Sequence, residues 1–323
     1  MKASKVWLVL VLIVAAIALG FMLGRNITPT DSTAACPNIT ADIIQSAQGD
    51  VYKPDNTEYV EPKTYYLVTY LVQGDQIVSP KFNSVPNDLT GQQKDIKDQQ
   101  EAWKLFAALI PQQERQTVSE FVVFTDGENN TLAAVDYAKS DPTRWAVQVD
   151  IADLKDERAL AFTIVHEFAH LLTLNSSQVA FDADIAQNPD DQNLLNQKAA
   201  LCSAYFTGTG CSLPDSYVNV FYNRFWADIN AEWQKVDALQ YEDASAYYNG
   251  LYDFYLKHRG QFVDDYAVTH PTEDIAESFA YFVFSPKPAG NSIKEQKIKF
   301  FYQYPELVRL RNNILGGACR EFK

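Results

Sequence analysis

Residues 156–174 restrict the fold of this chain more than any other stretch, because they predict a helix that is apolar on nearly every side. Its apolar residues are Ala159, Leu160, Ala161, Phe162, Ile164, Val165, Phe168, Ala169, Leu171 and Leu172. A helix without a polar face is buried in a protein core. The rest of the chain must therefore supply elements that cover this helix from several directions.

Three titratable side chains interrupt this helix, namely His166, Glu167 and His170. Residues four apart lie one above the other on a helix, so both imidazoles can bind a single ion. Glu167 lies about 100° around the helix, where it can contact a water at the ion without being a ligand. The alternative, two core histidines beside a stray carboxylate, leaves Glu167 buried without compensation. The spacing therefore predicts a metal site.

A catalytic zinc site has three protein ligands, and a second helix can supply the third one. Pro271 suits the first turn of a helix, and Glu273 and Glu277 follow on the border of its apolar face. We favour Glu273 as the ligand and Glu277 as the side chain that orients an imidazole. The reverse assignment stays open, as does an acidic helix start that is stabilised by the helix dipole.

The two motifs together, His166-Glu167-x-x-His170 and Glu273-x-x-x-Glu277, resemble those of the gluzincin class of zinc metallopeptidases. The segment 270–280 is similar to bacterial zinc-binding metallopeptidases. It is also similar to lethal-factor-type peptidases, in which a tyrosine seven residues before the ligand glutamate assists catalysis. Tyr266 occupies that position in this chain.

The resemblance implies a role for each residue of the two motifs. Zn²⁺ would be bound by His166, His170 and Glu273, with Glu167 as general base, Glu277 as support for a ligand, and Tyr266 as oxyanion donor. It also implies a zincin-like fold, in which a small sheet leads into the active-site helix and a helical lobe carries the third ligand. The resemblance covers about residues 120–310. The chain differs by placing 102 residues between His170 and Glu273, more than compact gluzincins have.

The metzincin class of metallopeptidases does not fit the sequence. Its pattern requires a glycine and a third histidine where this chain has Thr173 and Ser176. Its methionine turn is excluded as well, because the chain contains only Met1 and Met22. Cysteine ligands are also disfavoured if the four cysteines are oxidised.

The hydrophobic patterns predict an α+β fold. Strands are predicted at 65–72, 120–125, 131–137 and 144–151, helices at 102–110 and 156–174, loops at 78–98 and 175–195, and a mostly helical chain beyond about 196. The predicted domains are an N-terminal segment (1–24), a linker (25–60) and a metallopeptidase domain (61–323). That domain divides into a sheet with the active-site helix (61–175) and a helical lobe (176–323).

The N-terminus and the cysteines predict an extracytoplasmic location. Residues 6–23 are apolar or small, and lysines precede them. Because this run nearly spans a bilayer and exceeds an ordinary signal core, we predict an uncleaved membrane anchor with the body outside. Secretion after signal cleavage is the alternative. Cys202 and Cys211 enclose a short loop, while Cys36 and Cys319 would join the ends of the body. All three possible pairings are compatible with the sequence.

The predicted function is that of a zinc-dependent extracytoplasmic peptidase. A metal-activated water would attack the peptide bond, with Glu167 as general base and Tyr266 or His270 as oxyanion donor. The formal net charge of −14 disfavours nucleic acid as a partner, which leaves a peptide or protein substrate and the membrane. Two alternatives are a membrane-anchored binding or adhesion module with a non-catalytic metal site, and a zinc hydrolase of a non-peptide amide. The sequence does not indicate an oligomeric state.

Overall fold

The computed structural model describes residues 36–47, 63–127 and 131–323, all of them within the unit Ser32–Lys323. The predicted anchor at residues 1–24 lies outside the described residues. Within the part that is described, no helix has both the length and the hydrophobicity needed to cross a bilayer.

The described residues contain a five-stranded mixed sheet with the strand order β2-β1-β3-β5-β4. Its strands are β1 (Tyr65–Gln73), β2 (Gln76–Phe82), β3 (Val118–Thr125), β4 (Ala133–Ala138) and β5 (Asp141–Asp150). Only β3 and β5 pair in parallel, with Val123 opposite Val149, and the other neighbouring pairs are antiparallel. Four of the five strands were expected from β-branched and aromatic residues, so the α+β prediction is confirmed.

Strand β2 replaces part of the predicted loop at 78–98. Gly74, in the left-handed region at φ 62°, forms a two-residue turn with Asp75 and brings Gln76 opposite Gln73. Because β2 is an edge strand with mostly exposed residues, it lacks the apolar alternation that identifies a strand. An edge position also tolerates Pro80.

Helices cover the sheet and make up most of the second half of the chain. The α-helices of the described residues are α1 (Pro37–Ala47), α2 (Thr90–Lys94), α3 (Ile96–Leu109), α4 (Glu157–Leu174), α5 (Ala183–Gln187), α6 (Gln192–Leu201), α7 (Tyr217–Phe225), α8 (Asn230–Asp237), α9 (Ala244–His258), α10 (Pro271–Phe284), α11 (Ile293–Phe301) and α12 (Pro305–Glu321). Short 3-10 turns precede α4 at Ile151–Lys155 and α10 at Tyr266–Val268.

Two short helices interrupt the predicted loop at 175–195, because α5 lies within it and α6 begins in it at Gln192. Each begins at an aspartate, Asp182 or Asp191, whose carboxylate accepts hydrogen bonds from the first turn. Their residues are mostly exposed, so they carry no apolar stripe that a sequence pattern could detect.

Helix α1 lies inside the interval predicted as a linker. Ile43 is fully buried, and the Cys36–Cys319 disulfide joins the start of α1 to α12. The prediction of an extended linker is therefore wrong for Pro37–Ala47. The signal was weak, because the apolar face consists of only three isoleucines, Ile39, Ile43 and Ile44, in a short and otherwise polar stretch.

Helix α4 is as buried as its sequence predicts, since it packs against α1, α3, α10 and β4. The Asp156 carboxylate accepts a hydrogen bond from the backbone N–H of Ala159 and caps its start. Ring contacts join α4 to α10, with Phe162 and Tyr281 centroids 5.5 Å apart. One continuous core contains residues from both the sheet and the helical lobe.

Removal of each disulfide should lower the stability of the fold by a different amount. Replacing Cys36 and Cys319 with serine should lower the free energy of unfolding by about 5 kcal/mol, because this bond closes a loop with a sequence separation of 283. The matched Cys202→Ser/Cys211→Ser variant, with a separation of 9, should lose about 2–3 kcal/mol. Urea unfolding of both variants measures the difference, and equal losses would contradict the loop-length argument.

Candidate metal centre

Three side chains from two helices converge on one point, and we call them the His–His–Glu cluster. The Nε2 atoms of His166 and His170 lie 3.1 Å apart. Oε2 of Glu273, near the start of α10, lies 3.1 Å from the first nitrogen and 3.2 Å from the second. The exposed fractions of these side chains are 4%, 9% and 21%, so the cluster opens to solvent on the glutamate side.

The cluster fits a divalent metal ion. Donor atoms bound to one tetrahedral zinc at about 2.0–2.1 Å lie about 3.3 Å from one another, close to the spacing seen here. In the described part of the chain, no other group of three or more His, Cys, Asp or Glu side chains meets the same geometric requirement. Two imidazoles and one carboxylate are a donor set that zinc favours.

Glu277 lies behind His166 and not in the cluster. Its Oε1 is 2.7 Å from Nδ1 of His166, and its side chain is 8% exposed. A carboxylate at Nδ1 keeps the proton on that atom, so the lone pair of Nε2 points toward the cluster. Of the two glutamates that the sequence left as alternatives, only Glu273 therefore reaches the position of a third ligand.

A second carboxyl group, that of Asp264, supports Glu277. Burial and the neighbouring Glu277 carboxylate raise the pKa of Asp264 well above its usual value, and the two side chains are hydrogen-bonded. Asp264 also accepts a hydrogen bond from the backbone N–H of Ala267 at 3.0 Å. No sequence pattern indicates Asp264, because its distance of 13 residues from Glu277 follows no helical spacing.

Glu167 lies beside the cluster and is not one of its three donors. Its Oε1 is 3.9 Å from Nε2 of His166, and its side chain is 13% exposed. Burial raises the pKa of Glu167, and the adjacent His166 and His170 partly oppose that rise. This is the position that the 100° offset on the helix predicts.

The electrostatics of the cluster favour a positive charge. Burial lowers the pKa of His166, but Glu277 and Glu273 outweigh burial and hold that pKa well above its usual value. Burial raises the pKa of Glu273, whereas His170 and His166 bring it well below its usual value. A cation bound among these groups would therefore compensate carboxylates that burial has removed from water.

Tyr266 and His270 flank the cluster in different ways. The ring of Tyr266 lies 5.6 Å from that of His166. His270 caps α10, because its Nδ1 accepts a hydrogen bond from the backbone N–H of Thr272 at 3.2 Å. Burial lowers the pKa of His270 to about 4, which makes this imidazole neutral at physiological pH.

A buried ion pair holds the start of α10. Nζ of Lys297 lies 2.5 Å from Oδ2 of Asp274, and both side chains are fully buried. Trp226 donates from its indole nitrogen to the same oxygen at 2.7 Å, and the ring of Phe262 lies 4.0 Å from the ammonium. Lysine is rarely buried, so no sequence pattern indicated this pair.

We expect Lys297→Met to lower the free energy of unfolding by about 3–5 kcal/mol, because it leaves Asp274 as an uncompensated buried carboxylate. The control is Lys294→Met on the exposed side of the same helix, for which we expect a change within about 0.5 kcal/mol. Denaturant unfolding checks both values, and equal stability of the two variants would contradict this account of the pair.

Comparison of the chain with known proteins identified no relative. No family model, no curated protein and no solved structure matches the chain. The functional assignment therefore depends on the geometry of the His–His–Glu cluster and on the two motifs in α4 and α10.

Proposed function

We propose that this chain is a zinc-dependent extracytoplasmic peptidase of the gluzincin type. The observation that carries the proposal is the convergence of His166, His170 and Glu273 within 3.1–3.2 Å, with Glu167 beside them and outside the set. The order of elements supports it, because the sheet precedes α4 and the helical half supplies Glu273. That order is the zincin-like arrangement which the motif resemblance implies.

The residues have distinct roles in the proposed hydrolysis. His166, His170 and Glu273 would hold the zinc ion, which would supply Lewis acidity for polarising the scissile carbonyl and acidifying a water. The Glu167 carboxylate accepts the proton of the attacking water and later passes it to the leaving amine. Glu277 orients the imidazole of His166 through its contact with Nδ1.

Tyr266 is the oxyanion donor in this proposal. Its ring lies against the imidazole of His166, and a phenolic hydroxyl can donate to a developing negative charge. His270 is the other candidate. Its Nδ1 atom caps α10 and lies 2.6 Å from Oγ1 of Thr272. We therefore assign His270 a structural role at the start of the helix that carries Glu273.

One feature of the sheet favours a peptide over another amide as substrate. Strand β4 is an edge strand of the sheet and packs against α4, the helix that bears both histidines. An edge strand presents unpaired backbone N–H and C=O groups, to which an extended peptide can add as a further strand. A small non-peptide amide would not use such an edge.

The His–His–Glu cluster also weighs against the binding-module alternative. A structural zinc site is normally closed by four protein ligands. The group that can hold a metal in the described residues consists of three, which leaves one coordination position for solvent or substrate.

The cysteines support the location outside the cytoplasm. All four lie in the described residues and form the pairs Cys36–Cys319 and Cys202–Cys211. Such bonds are typical of oxidising compartments. Anchoring by residues 6–23 stays a prediction.

Hydrolysis of a quenched-fluorescent peptide library tests the proposal. We expect the purified chain to cleave the library, a chelator to stop cleavage, and added Zn²⁺ to restore it. Zinc binding without any cleavage of the library would instead favour the binding module.

A further inference from the structure

A half-buried carboxylate in the helical lobe has no cationic partner. Asp237, the last residue of α8, accepts a hydrogen bond from Nε2 of Gln240 at 2.9 Å. Burial raises the pKa of Asp237. No Lys, Arg or His side chain of the described ranges forms an ion pair with it, whereas other carboxylates of the same lobe, among them Asp182, Glu232 and Asp274, have such partners. A carboxylate in this condition gains stability from a cation supplied by a ligand.

The position of Asp237 connects it to the metal centre. Asp237 and Trp233 are four residues apart on α8, so their side chains share one face of that helix. The ring of Trp233 lies 5.5 Å from that of His270, and its indole nitrogen donates to the carbonyl of Val268 at 2.8 Å. His270 caps the helix that begins with Pro271 and carries Glu273. The face of α8 that bears Asp237 therefore faces the same side of the lobe as the start of α10.

The charges of Asp237 and Glu273 act on two half-buried tyrosines, Tyr205 and Tyr247. The ring of Tyr205 stacks on Tyr222 at 4.1 Å and lies 6.4 Å from the ring of His270. Burial raises the pKa of Tyr205, and the charges of Asp237 and Glu273 both contribute to that rise. Burial likewise raises the pKa of Tyr247 to about 12, again with contributions from both carboxylates. The packing agrees, because α9, which carries Tyr247, contacts α8, the turn Ala238–Tyr241 that follows Asp237, and the turn Tyr266–Val268 that precedes α10.

The loop that carries Tyr205 is held in place. The Cys202–Cys211 disulfide closes it, and the backbone N–H of Tyr205 donates to Oδ1 of Asn219 on α7 at 3.0 Å. The carbonyl of Tyr205 accepts from the N–H of Ser212 at 2.9 Å. A side chain fixed in this way loses little entropy when it contacts a ligand.

We propose that Asp237, together with the aromatic faces of Tyr205 and Tyr247, binds a cationic group of the substrate beside the metal centre. This inference rests on the proposed peptidase function and names a class of substrate for it. A carboxylate among aromatic rings is the combination that recognises an ammonium or guanidinium group. In a peptide, that group is a lysine or arginine side chain or the α-amine of the first residue.

Peptide binding to a catalytically silent protein tests the subsite. The zinc-loaded Glu167→Gln protein is titrated with three pools of fluorescein-labelled octapeptides. The first is acetylated and contains one arginine, the second is acetylated and has citrulline in its place, and the third has citrulline and a free α-amine. Citrulline keeps the shape of arginine and removes its charge.

We expect the arginine pool or the free-amine pool to bind about 10-fold more tightly than the neutral acetylated pool. Adding Asp237→Asn, which keeps the size of the side chain and the acceptor for Gln240, should reduce that preference to within about twofold. Adding Asp253→Asn, an equal change of charge at an exposed site on α9, should leave the preference intact. The pool that binds more tightly identifies the source of the cation.

Equal binding of all pools overturns the subsite, and so does a preference that survives Asp237→Asn or disappears with Asp253→Asn. The peptidase proposal is judged separately, by incubating the same pools with the zinc-loaded wild-type protein. If none is cleaved although the cation preference holds, the peptidase function fails and the subsite stands. If the pools are cleaved without any cation preference in binding, the subsite fails and the function stands.

Discussion

Glu167→Gln is expected to reduce kcat/KM for a cleaved peptide by about 10³-fold while the protein retains its zinc. Glutamine has nearly the same shape but cannot accept a proton, and removal of a positioned general base has an effect of about 10²–10⁴-fold. Zinc is retained because Glu167 is not one of the converging donors, its Oε1 being 3.9 Å from Nε2 of His166. Steady-state hydrolysis and metal analysis of the same sample measure both quantities.

The matched control is Glu157→Gln, an identical change at an exposed position in the first turn of α4. We expect activity close to that of the wild type. Undiminished cleavage by Glu167→Gln would remove this residue from the mechanism. Loss of zinc from that variant would mean that Glu167 is a ligand.

The second large effect concerns the third ligand. Glu273→Ala should weaken zinc binding by more than about 100-fold, because it removes one of three donor atoms from the His–His–Glu cluster. Glu277→Ala should weaken it by about 10–100-fold, the range for a residue that orients a ligand through a hydrogen bond. Competition with a chelator of known zinc affinity measures both dissociation constants.

Glu242→Ala serves as the control for these two variants, since Glu242 is exposed in the helical lobe. Its zinc affinity should equal that of the wild type. If Glu277→Ala caused the larger loss of zinc affinity, Glu277 would be the ligand. The 3.1–3.2 Å distances within the His–His–Glu cluster would then not describe the zinc-bound protein.

The His–His–Glu cluster was predictable from sequence where helical geometry alone decides the outcome. The spacing of His166 and His170 fixes their common face on α4, and the apolar residues around them fix the burial of that helix. The sequence favoured Glu273 over Glu277 but left the reverse assignment open, because both lie on one face of α10. The packing of α10 against α4 decides it, and a tertiary contact of this kind leaves no mark on a local pattern.

The helices and strand that the sequence did not predict escaped prediction for one physical reason. Strand β2 and helices α5 and α6 are largely exposed, and α1 buries few side chains, so none of them has a long apolar period. Lys297 and Asp274 are buried as a pair, whereas propensities treat each residue alone. Prediction of such elements requires knowledge of which surfaces meet.

The proposed subsite also gives a role to the long interval between His170 and Glu273. The 102 residues between His170 and Glu273 include helices α5 to α9 and the loop closed by Cys202–Cys211. They carry Tyr205, Asp237 and Tyr247, the three residues of the proposed cationic subsite. In that proposal, the long interval provides one wall of the substrate site.

The amount of zinc in the protein tests the central claim most directly. The chain is purified without chelators, and its metal content is measured by mass spectrometry before and after dialysis against Zn²⁺. We predict about one zinc ion per chain in the wild type, and far less in His166→Ala/His170→Ala, which lacks both imidazoles of α4. A folded wild-type protein that contains no stoichiometric metal and takes up none would contradict the account.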